Sequence, residues 1–294
     1  MTINIIDNQK YNNTTLHKQW VKSHDWYRSI DTFHDRFPKN FKFTYWEKDN
    51  NEISIFITRG IFSVDEIDSQ IKIAIPSDLR EFHSNIYEFI EQNIEKFDRV
   101  ITYDERLISL FPDKCFPSPA MKPWIWPLEK QKIYDKTKLC SFITSKKRFI
   151  PGHDFRIKML DFILSDYKDK ISCYGEGHNP LPEEEGKIIG LKDYAFSIAM
   201  ENNQSNYYFS EKLLDVILTG GVPIYWGCKN IPNYFNPDGF IFFNSKEELE
   251  DIIKNLSIED YYSRSEAIKE NFHICQNNYI DNFHYFVKNG TEWL

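Results

Sequence analysis

Five polar residues cluster around the start of one short helical pattern in the second half of the chain. Glu201 and Asn202 follow an apolar run, and Tyr208, Glu211 and Lys212 stand at the entrance of "SEKLLDVILTGG". A helix N-terminus presents free backbone N–H groups and the positive end of the helix dipole, so it favours an anion. Lys212 is a cation at the positive end of the helix dipole, which is an unfavourable position. A diphosphate that binds both Lys212 and the helix N-terminus would explain it. The alternative is an ordinary helix in which Glu211 satisfies the dipole and Lys212 is solvated.

The same stretch contains the signals that begin and end a helix. Ser210 is suited to cap the first turn, and Gly220 followed by Gly221 predicts the C-terminal end. The apolar residues at helical spacing between them are Leu213, Leu214, Ile217 and Leu218. We therefore expect a capped amphipathic helix that starts at the carboxyl end of a buried strand.

Glu201 and Asn202 stand where that strand ends. A carboxylate and an amide in this position can hydrogen-bond sugar hydroxyls, as acidic groups at strand ends do in dinucleotide-binding folds. The alternative for the pair is a simple turn, which Asn202 and Asn203 also favour. Tyr208 either stacks on a ligand ring or packs against the protein.

The elements that must position these residues alternate between strand and helix. In the first half, Ile-rich runs at 52–60 and 71–77 predict strands, 84–97 has helical spacing, 98–104 predicts another strand, and a short helix follows at 105–112. Nearly continuous apolar runs are typical of parallel strands that are covered on both faces. This half is therefore predicted to be an α/β domain with a parallel sheet.

The second half repeats the alternation. Its predicted strands are 138–145, 171–177, 194–202, 222–227 and 239–244, and its predicted helices are 152–167, 210–221, 245–256 and a final stretch through 262–288. Five of the 13 prolines fall within 112–137, where no regular element is expected. We place the domain boundary there, giving an N-terminal domain 1–130 and a C-terminal domain 131–294. Two Rossmann-like domains of this kind bind ligands at the carboxyl ends of their strands.

Composition excludes several classes of function. The 294 residues carry a formal net charge of −8, so no general basic surface attracts a nucleic-acid backbone. The five cysteines are odd in number and lack CxxC spacing, which indicates free thiols rather than disulfides or a structural zinc site. The first residues do not form a signal peptide, and no run of 18 apolar residues predicts a membrane span. We expect a cytoplasmic protein.

Three motifs occur in order in this region: "AFSIAMEN", "YFSEK" and "VPIYWG". They resemble the pattern F-x-L-x-F-E-N, Y-x-T-E-K and V-P-I/V-x-x-G of the donor-binding domain of α-1,3-fucosyltransferases, glycosyltransferase family 10. Met200 replaces the usual aromatic residue and Ser210 replaces threonine. A weaker resemblance extends upstream through "SFITSKKRFIPGHDFRIKMLDFI" and "CYGEG".

The resemblance implies a GT-B fold, in which two Rossmann-like domains face each other across a cleft and the last helix packs back on the N-terminal domain. It implies an inverting enzyme that needs no metal or other cofactor and uses GDP-fucose as donor. The donor site then comprises Arg156 and Lys212 on the diphosphate, Glu211 on the ribose, Tyr208 and Asn202 along the pocket, Ser145 and Ser210 beside them, and Glu201 facing sugar hydroxyls.

Inversion requires a base that deprotonates the acceptor hydroxyl. The resemblance puts this base in the N-terminal half, and our first candidate is Glu81, followed by Asp78 and then His83, all just past the predicted strand 71–77. Both carboxylates can equally be solvated residues that open the next helix. His153 either caps the helix that carries Arg156 or adds a second diphosphate contact. No Asp-x-Asp pair and no metal-ligand spacing of histidines is present, so a metal is not expected.

The acceptor stays open at this point. A surface glycan is the first expectation, and a hydroxylated base in phage DNA is the alternative, with "TSKKRF" (144–149), Lys122 and Lys130 as its basic cluster. A third hypothesis is a non-catalytic module that binds nucleotide sugars. It would predict loss of the diphosphate-binding residues, yet Arg156, Glu211 and Lys212 are all present.

Overall fold

Two parallel β-sheets flanked by helices make up the computed structural model of the chain. The structure describes residues 2–6, 42–76, 79–118, 123–125, 128–176, 178–182 and 186–278. Internal contacts divide the chain into two compact units, Met1–Pro117 and Ser118–Leu294. Among the described residues, no helix is long and apolar enough to cross a lipid bilayer.

The first unit contains a six-stranded sheet. Its strands are β1 (Thr2–Ile6), β2 (Lys42–Tyr45), β3 (Asn51–Ile57), β4 (Ser69–Ile75), β5 (Arg99–Thr102) and β6 (Cys115–Pro117), and its helices are α1 (Ser84–Gln92) and α2 (Glu105–Leu110). All neighbouring strands run parallel in the order β2-β1-β3-β4-β5-β6. Ile55, Phe56 and Ile73 are fully buried, as expected for a sheet covered on both faces.

The second unit contains a five-stranded sheet. Its strands are β7 (Lys138–Ile143), β8 (Ile171–Tyr174), β9 (Tyr194–Met200), β10 (Val222–Trp226) and β11 (Ile241–Phe242), and its helices are α3 (Pro151–Asp166), α4 (Glu211–Ile217), α5 (Lys246–Asn255), α6 (Ile258–Ser263) and α7 (Ser265–Asn278). The strands are parallel in the order β11-β10-β9-β7-β8. Every residue of β9 is buried, which places this strand in the centre of the core.

This strand order creates a topological switch point inside the second unit. The chain goes from β7 to the edge strand β8 and then returns to the other side of β7 to form β9. Helix α3 follows β7 and helix α4 follows β9. In open α/β sheets, ligands bind beyond the carboxyl ends of the two strands at such a point. The loops 144–150 and 201–210 therefore enclose the expected ligand position within this unit.

The predicted serine cap of α4 is confirmed, but the helix ends at Ile217, before the predicted end at 221. The Ser210 hydroxyl accepts the Lys212 backbone N–H, and all four residues of the predicted apolar stripe are buried. Gly220 has a φ of 74°, and its N–H donates to the Ile217 carbonyl at 2.9 Å, while the Gly221 N–H reaches the Val216 carbonyl at 2.9 Å. A helix commonly ends at a glycine in the left-handed conformation, with backbone N–H groups that bond back to carbonyls of the last turn. The helix itself spans only seven residues.

Several predicted boundaries were wrong. The strand predicted at 52–60 ends at Ile57, because Thr58 has a φ of 49° and starts a 3₁₀ helix, Thr58–Glu66. The helix predicted at 84–97 ends at Gln92 and is followed by a 3₁₀ turn, Ile94–Lys96. The final helical stretch starts earlier than predicted, as α6 and α7, and residues 279–288 lie outside the described part.

Three short strands, β1, β2 and β6, were not predicted at all. Strand β1 lies at the start of the chain, and β6 lies inside the proline-rich segment 112–137, where no regular element was expected. Pro117 is accommodated because it ends β6, an edge strand that pairs with β5 alone. The same segment also contains a 3₁₀ turn, Leu128–Lys130.

The cysteine prediction is confirmed. All five cysteines are buried and free. Burial raises the pKa of the Cys115 thiol to about 12, so this thiol is neutral at physiological pH.

Candidate functional site

Glu201 holds the start of α4 from the end of β9. Its side chain is fully buried, its Oε1 accepts the Ser210 N–H at 2.8 Å, and its Oε2 accepts the Ser210 hydroxyl at 2.6 Å. Gly227 packs against it so closely that a Cβ at Gly227 would lie 2.5 Å from the Glu201 Cγ. The sequence suggested that Glu201 faces sugar hydroxyls, but in the structure both of its oxygens are used within the protein. Glu201 thus positions the cap of α4.

Lys212 lies between two carboxylates. Its Nζ donates to the Ser210 Oγ at 3.1 Å and to the Glu211 Oε1 at 3.2 Å, and it is 3.7 Å from the Glu201 Oε2. Burial lowers the pKa of Lys212, but Glu211 and Glu201 more than offset this effect and raise it overall. Burial likewise raises the pKa of Glu211, yet the ammonium groups of Lys212 and Lys187 bring it down to about 2. Lys212 and Glu211 are both charged at neutral pH.

Arg156 approaches the same place from α3. Arg156 is 5% exposed, its Nη1 donates to the Asn202 Oδ1 at 2.9 Å, and its Nε is buried with no hydrogen-bond partner among the described residues. Burial lowers its pKa, and the carboxylates of Glu201 and Glu211 act in the opposite direction. A buried guanidinium with an unpaired N–H is suited to an anionic ligand, because its planar fork matches phosphate and carboxylate oxygens.

A glycine lets α3 come this close. A Cβ at Gly152 would lie 1.8 Å from the Asn202 carbonyl oxygen, so the first turn of α3 packs directly on the loop after β9. The backbone of the first turn of α3 is therefore in contact with the loop after β9. This contact places Arg156 beside Asn202.

His153 ties the loop after β7 to Asn202. The Phe149 N–H donates to the His153 Nδ1 at 3.0 Å, so the ring proton is on Nε2, which lies 3.2 Å from the Asn202 Oδ1. Burial and the nearby Arg156 lower the pKa of His153, which favours the neutral ring. Ile150 is the N-cap residue of α3 and makes no side-chain cap bond. His153 thus binds the backbone just before the helix, and the choice between a capping role and a diphosphate contact stays a prediction.

The remaining predicted donor-site residues differ in exposure. Ser145 is half-buried in the loop after β7, where its carbonyl accepts the Thr144 hydroxyl at 3.4 Å. Tyr208 is only 6% exposed, and its N–H donates to the Ser205 Oγ at 3.0 Å. Burial raises the pKa of Tyr208 well above its ordinary value. Of the two interpretations of Tyr208, packing fits this placement better than stacking on a ligand.

The candidate bases belong to the first unit. Glu81 is exposed in the turn after β4, and His83 is half-buried just before α1. Asp78 lies outside the described residues. The assignment of the base stays a prediction.

Arg156, Glu211 and Lys212 form what we call the donor-site cluster. A second group of charged residues, which the sequence did not predict, lies beside it. Lys187, in the 3₁₀ helix Gly186–Gly190, lies 3.0 Å from the Asp215 Oδ2 and 3.8 Å from the Glu211 Oε1. Asp215 follows Glu211 by one helical turn, and this i,i+4 spacing was the available signal for Asp215. Lys187 is distant in sequence and carried no such signal.

Residues 133–283 match "Glycosyltransferase family 10 (fucosyltransferase) C-term". The chain belongs to glycosyltransferase family 10. The match covers α3, the switch point and α4, so every residue of the donor-site cluster lies within the family's domain. The motifs that suggested this family in the sequence are thus confirmed as a family signature.

Two relatives illustrate the extent of the similarity. The family 10 chain is 36% identical over 69 residues to the α-(1,3)-fucosyltransferase FucT of Helicobacter pylori, covering 22% of this chain and 14% of that enzyme. It is 30% identical over 115 residues to an α-(1,4)-fucosyltransferase of Arabidopsis thaliana, covering 36% of this chain and 28% of that enzyme. The alignments therefore span less than a third of either relative.

Solved structures support the fold over nearly the whole chain. An α1,3-fucosyltransferase crystallised with GDP-fucose superposes with a TM-score of 0.56 at 15% identity, covering 94% of this chain and 89% of that one. An α-glucosyltransferase in complex with UDP and DNA gives 0.53 at 10% identity, covering 100% and 98%. At such identities the likeness concerns the fold alone. The family 10 chain has two Rossmann-like units of the GT-B type, as its sequence predicted.

Proposed function

We propose that the protein transfers fucose from GDP-fucose to an acceptor hydroxyl, with inversion and without a metal. The observation that carries this proposal is the charge arrangement at the switch point of a family 10 domain. Arg156 and Lys212 are two cations close enough for Arg156 to lower the pKa of Lys212; Arg156 is buried, and the Lys212 side chain is 22% exposed. Such a pair can stabilise the negative charge that develops on a departing nucleoside diphosphate.

The reaction would proceed as a single displacement. A base removes the proton from the acceptor hydroxyl while its oxygen attacks the anomeric carbon of fucose. The bond from that carbon to the diphosphate oxygen breaks, and its electron pair leaves with GDP. Arg156 and Lys212 neutralise that charge, and ionised Glu211 accepts hydrogen bonds from the ribose hydroxyls. The short helix α4 adds little dipole of its own, so the cations carry the stabilisation.

Nucleotide binding tests the donor assignment. We expect GDP to raise the melting temperature of the protein and UDP to leave it unchanged, because the family's donor is a guanosine nucleotide. The measurement is a thermal-shift panel followed by calorimetric titration. Selectivity for UDP would overturn the donor assignment, and no response to any nucleotide would contradict the proposal as a whole.

The base is proposed as Glu81, with Asp78 as the second candidate. Replacing the base by its amide removes the proton acceptor but leaves the donor site intact. We expect Glu81→Gln to lower kcat by about 10²-fold or more, with the KM for GDP-fucose little changed. If only Asp78→Asn has this effect, the assignment moves to Asp78.

The acceptor is proposed to be a glycan hydroxyl. A DNA acceptor is the second candidate, because Lys146, Lys147 and Arg148 form an exposed basic run in the loop after β7. Lys130 belongs to a different segment, and Lys122 lies outside the described residues. Duplex DNA that inhibits glycan transfer at physiological salt would favour DNA, and no inhibition would favour the glycan. Transfer or hydrolysis of the donor would in either case exclude a non-catalytic binding module.

A further inference from the structure

Lys187 stands behind the donor-site cluster and contacts two acids of α4. Its Nζ donates to the Asp215 Oδ2 at 3.0 Å and lies 3.8 Å from the Glu211 Oε1. The side chain is 16% exposed. The indole of Trp124 lies over the ammonium group at 4.4 Å from Nζ to the ring centroid. An ammonium group that an aromatic ring shields from water acts more strongly on its neighbours.

Asp215 fixes Lys187 in this position. The carboxylate is 1% exposed, and its Oδ1 accepts the backbone N–H groups of Trp124 at 2.7 Å and of Ile125 at 3.1 Å. Its other oxygen is left for Lys187. The ammonium group is therefore held on one side by a buried carboxylate and on the other by an aromatic face, which leaves it little freedom to turn away from Glu211.

This arrangement resolves a conflict over Lys212. In the structure Lys212 is hydrogen-bonded to Glu211, but in the proposed reaction it has to engage the diphosphate. A single ammonium group cannot neutralise both anions fully, since each competes for the same three N–H donors. A second cation beside Glu211 removes this competition.

We propose that Lys187 is a positioning residue, which holds Glu211 ionised and in place for the ribose of the donor and leaves Lys212 available for the diphosphate. The inference rests on the proposed function. Lys187 itself touches neither the diphosphate nor the reacting atoms in this scheme. Its effect should therefore appear in donor binding rather than in the chemical step.

The test has to separate this role from a structural one. Lys187→Met alone would leave Asp215 buried without its partner, which destabilises proteins strongly. The double variant Lys187→Met with Asp215→Asn removes both charges, and the asparagine oxygen can still accept the two backbone N–H groups. Lys192→Met, a nearby half-buried lysine, serves as the matched control.

We expect the double variant to melt close to the wild type, to bind GDP about tenfold more weakly by calorimetry, and to raise the KM for GDP-fucose by a similar factor with kcat within about twofold. Lys187→Arg should retain most of the affinity, because it retains the cation. Lys192→Met should bind GDP like the wild type.

The pH dependence of GDP binding provides a further test, because a loss of packing alone would not shift it. The groups that act on Glu211 are the cations Lys187, Lys212 and Arg156, the carboxylates Glu201 and Asp215, and the hydroxyls of Ser210 and Tyr208. Loss of Lys187 should shift the acidic limb of GDP binding to higher pH, because Glu211 then protonates more easily. If the double variant binds GDP with wild-type affinity and a wild-type pH profile, this inference is wrong but the proposed function is not affected. Failure of the wild type to bind GDP would overturn it together with the proposed function.

Discussion

The two units share a strand order but place their charged side chains in different surroundings. In each sheet the second strand lies on one side of the first and the third strand on the other. In the first unit, Arg80 pairs with Asp104 at 2.7 Å and with Glu91 at 2.9 Å, and Arg106 also contacts Glu91. Arg106 keeps 65% of its side chain exposed. In the second unit, Glu201 is completely buried.

The completely buried carboxylates Glu201 and Asp215 distinguish the candidate site from the network of the first unit, whose acids Glu91 and Asp104 stay partly exposed. Exposed ion pairs contribute little to stability and cost little to keep. Buried charges are costly unless they are well paired, and the Nε of Arg156 is a buried donor with no partner among the described residues, as is the Nε of Arg99 in the first unit. Shared topology therefore does not decide the chemistry of a unit. Perturbed, sheltered charges at a switch point are the better indicator.

The largest expected effect is loss of a cation from the buried cluster. We expect Lys212→Ala and Arg156→Ala each to reduce kcat/KM by about 10²- to 10³-fold, because a fixed charge on a leaving group contributes about 3–4 kcal/mol. The measurement is GDP release from GDP-fucose. Lys158→Ala, an exposed residue of the same helix α3, is the control and should have normal activity. Near-normal turnover in Lys212→Ala would exclude the diphosphate role.

A smaller effect should distinguish the two networks by stability. Glu201→Ala removes the acceptor of two Ser210 hydrogen bonds and a counter-ion of Lys212, so we expect a loss of about 3 kcal/mol. Glu91→Ala removes a partly exposed pair and should cost about 1 kcal/mol or less. Hydrogen exchange measured separately in α4 and in α1 reports each unit by itself. Equal losses in both units would show that burial does not separate the networks.

The sequence predicted the central elements because they carry strong local signals. Strands β3, β4, β9 and β10 are nearly continuous apolar runs, and α4 has a serine cap and a glycine stop. Strands β1, β2 and β6 were missed because each depends on pairing with neighbouring strands. Strand pairing is a tertiary effect that composition cannot report.

The sequence predicted which residues come together in the candidate site but not the role of each residue. The motifs brought Arg156, Glu211 and Lys212 to one place, and the structure agrees that they interact electrostatically. That Glu201 turns inward to Ser210 depends on its packing against Gly227, which no local pattern shows.

The smallest expected effect is a difference in how the two networks respond to pH. Burial raises the pKa of Glu201 above its ordinary 4.5, which Lys212 offsets only in part. The hydrogen bond from Arg106 lowers the pKa of Glu91. The folded protein thus binds more protons at Glu201 than the unfolded chain does, so the contribution of Glu201 to stability is largest at low pH. It falls as pH rises from about 4.5 through the raised pKa.

Glu91 has the opposite sign. Its contribution is complete above about 4.5 and is lost as pH falls through its lowered pKa. The difference in free energy of unfolding between wild type and Glu201→Gln should therefore decrease as pH rises above about 4.5, while the difference for Glu91→Gln should decrease as pH falls below about 4.5. Slopes of the same sign would mean that Glu201 is not desolvated, and the contrast between the two units would then rest on geometry alone.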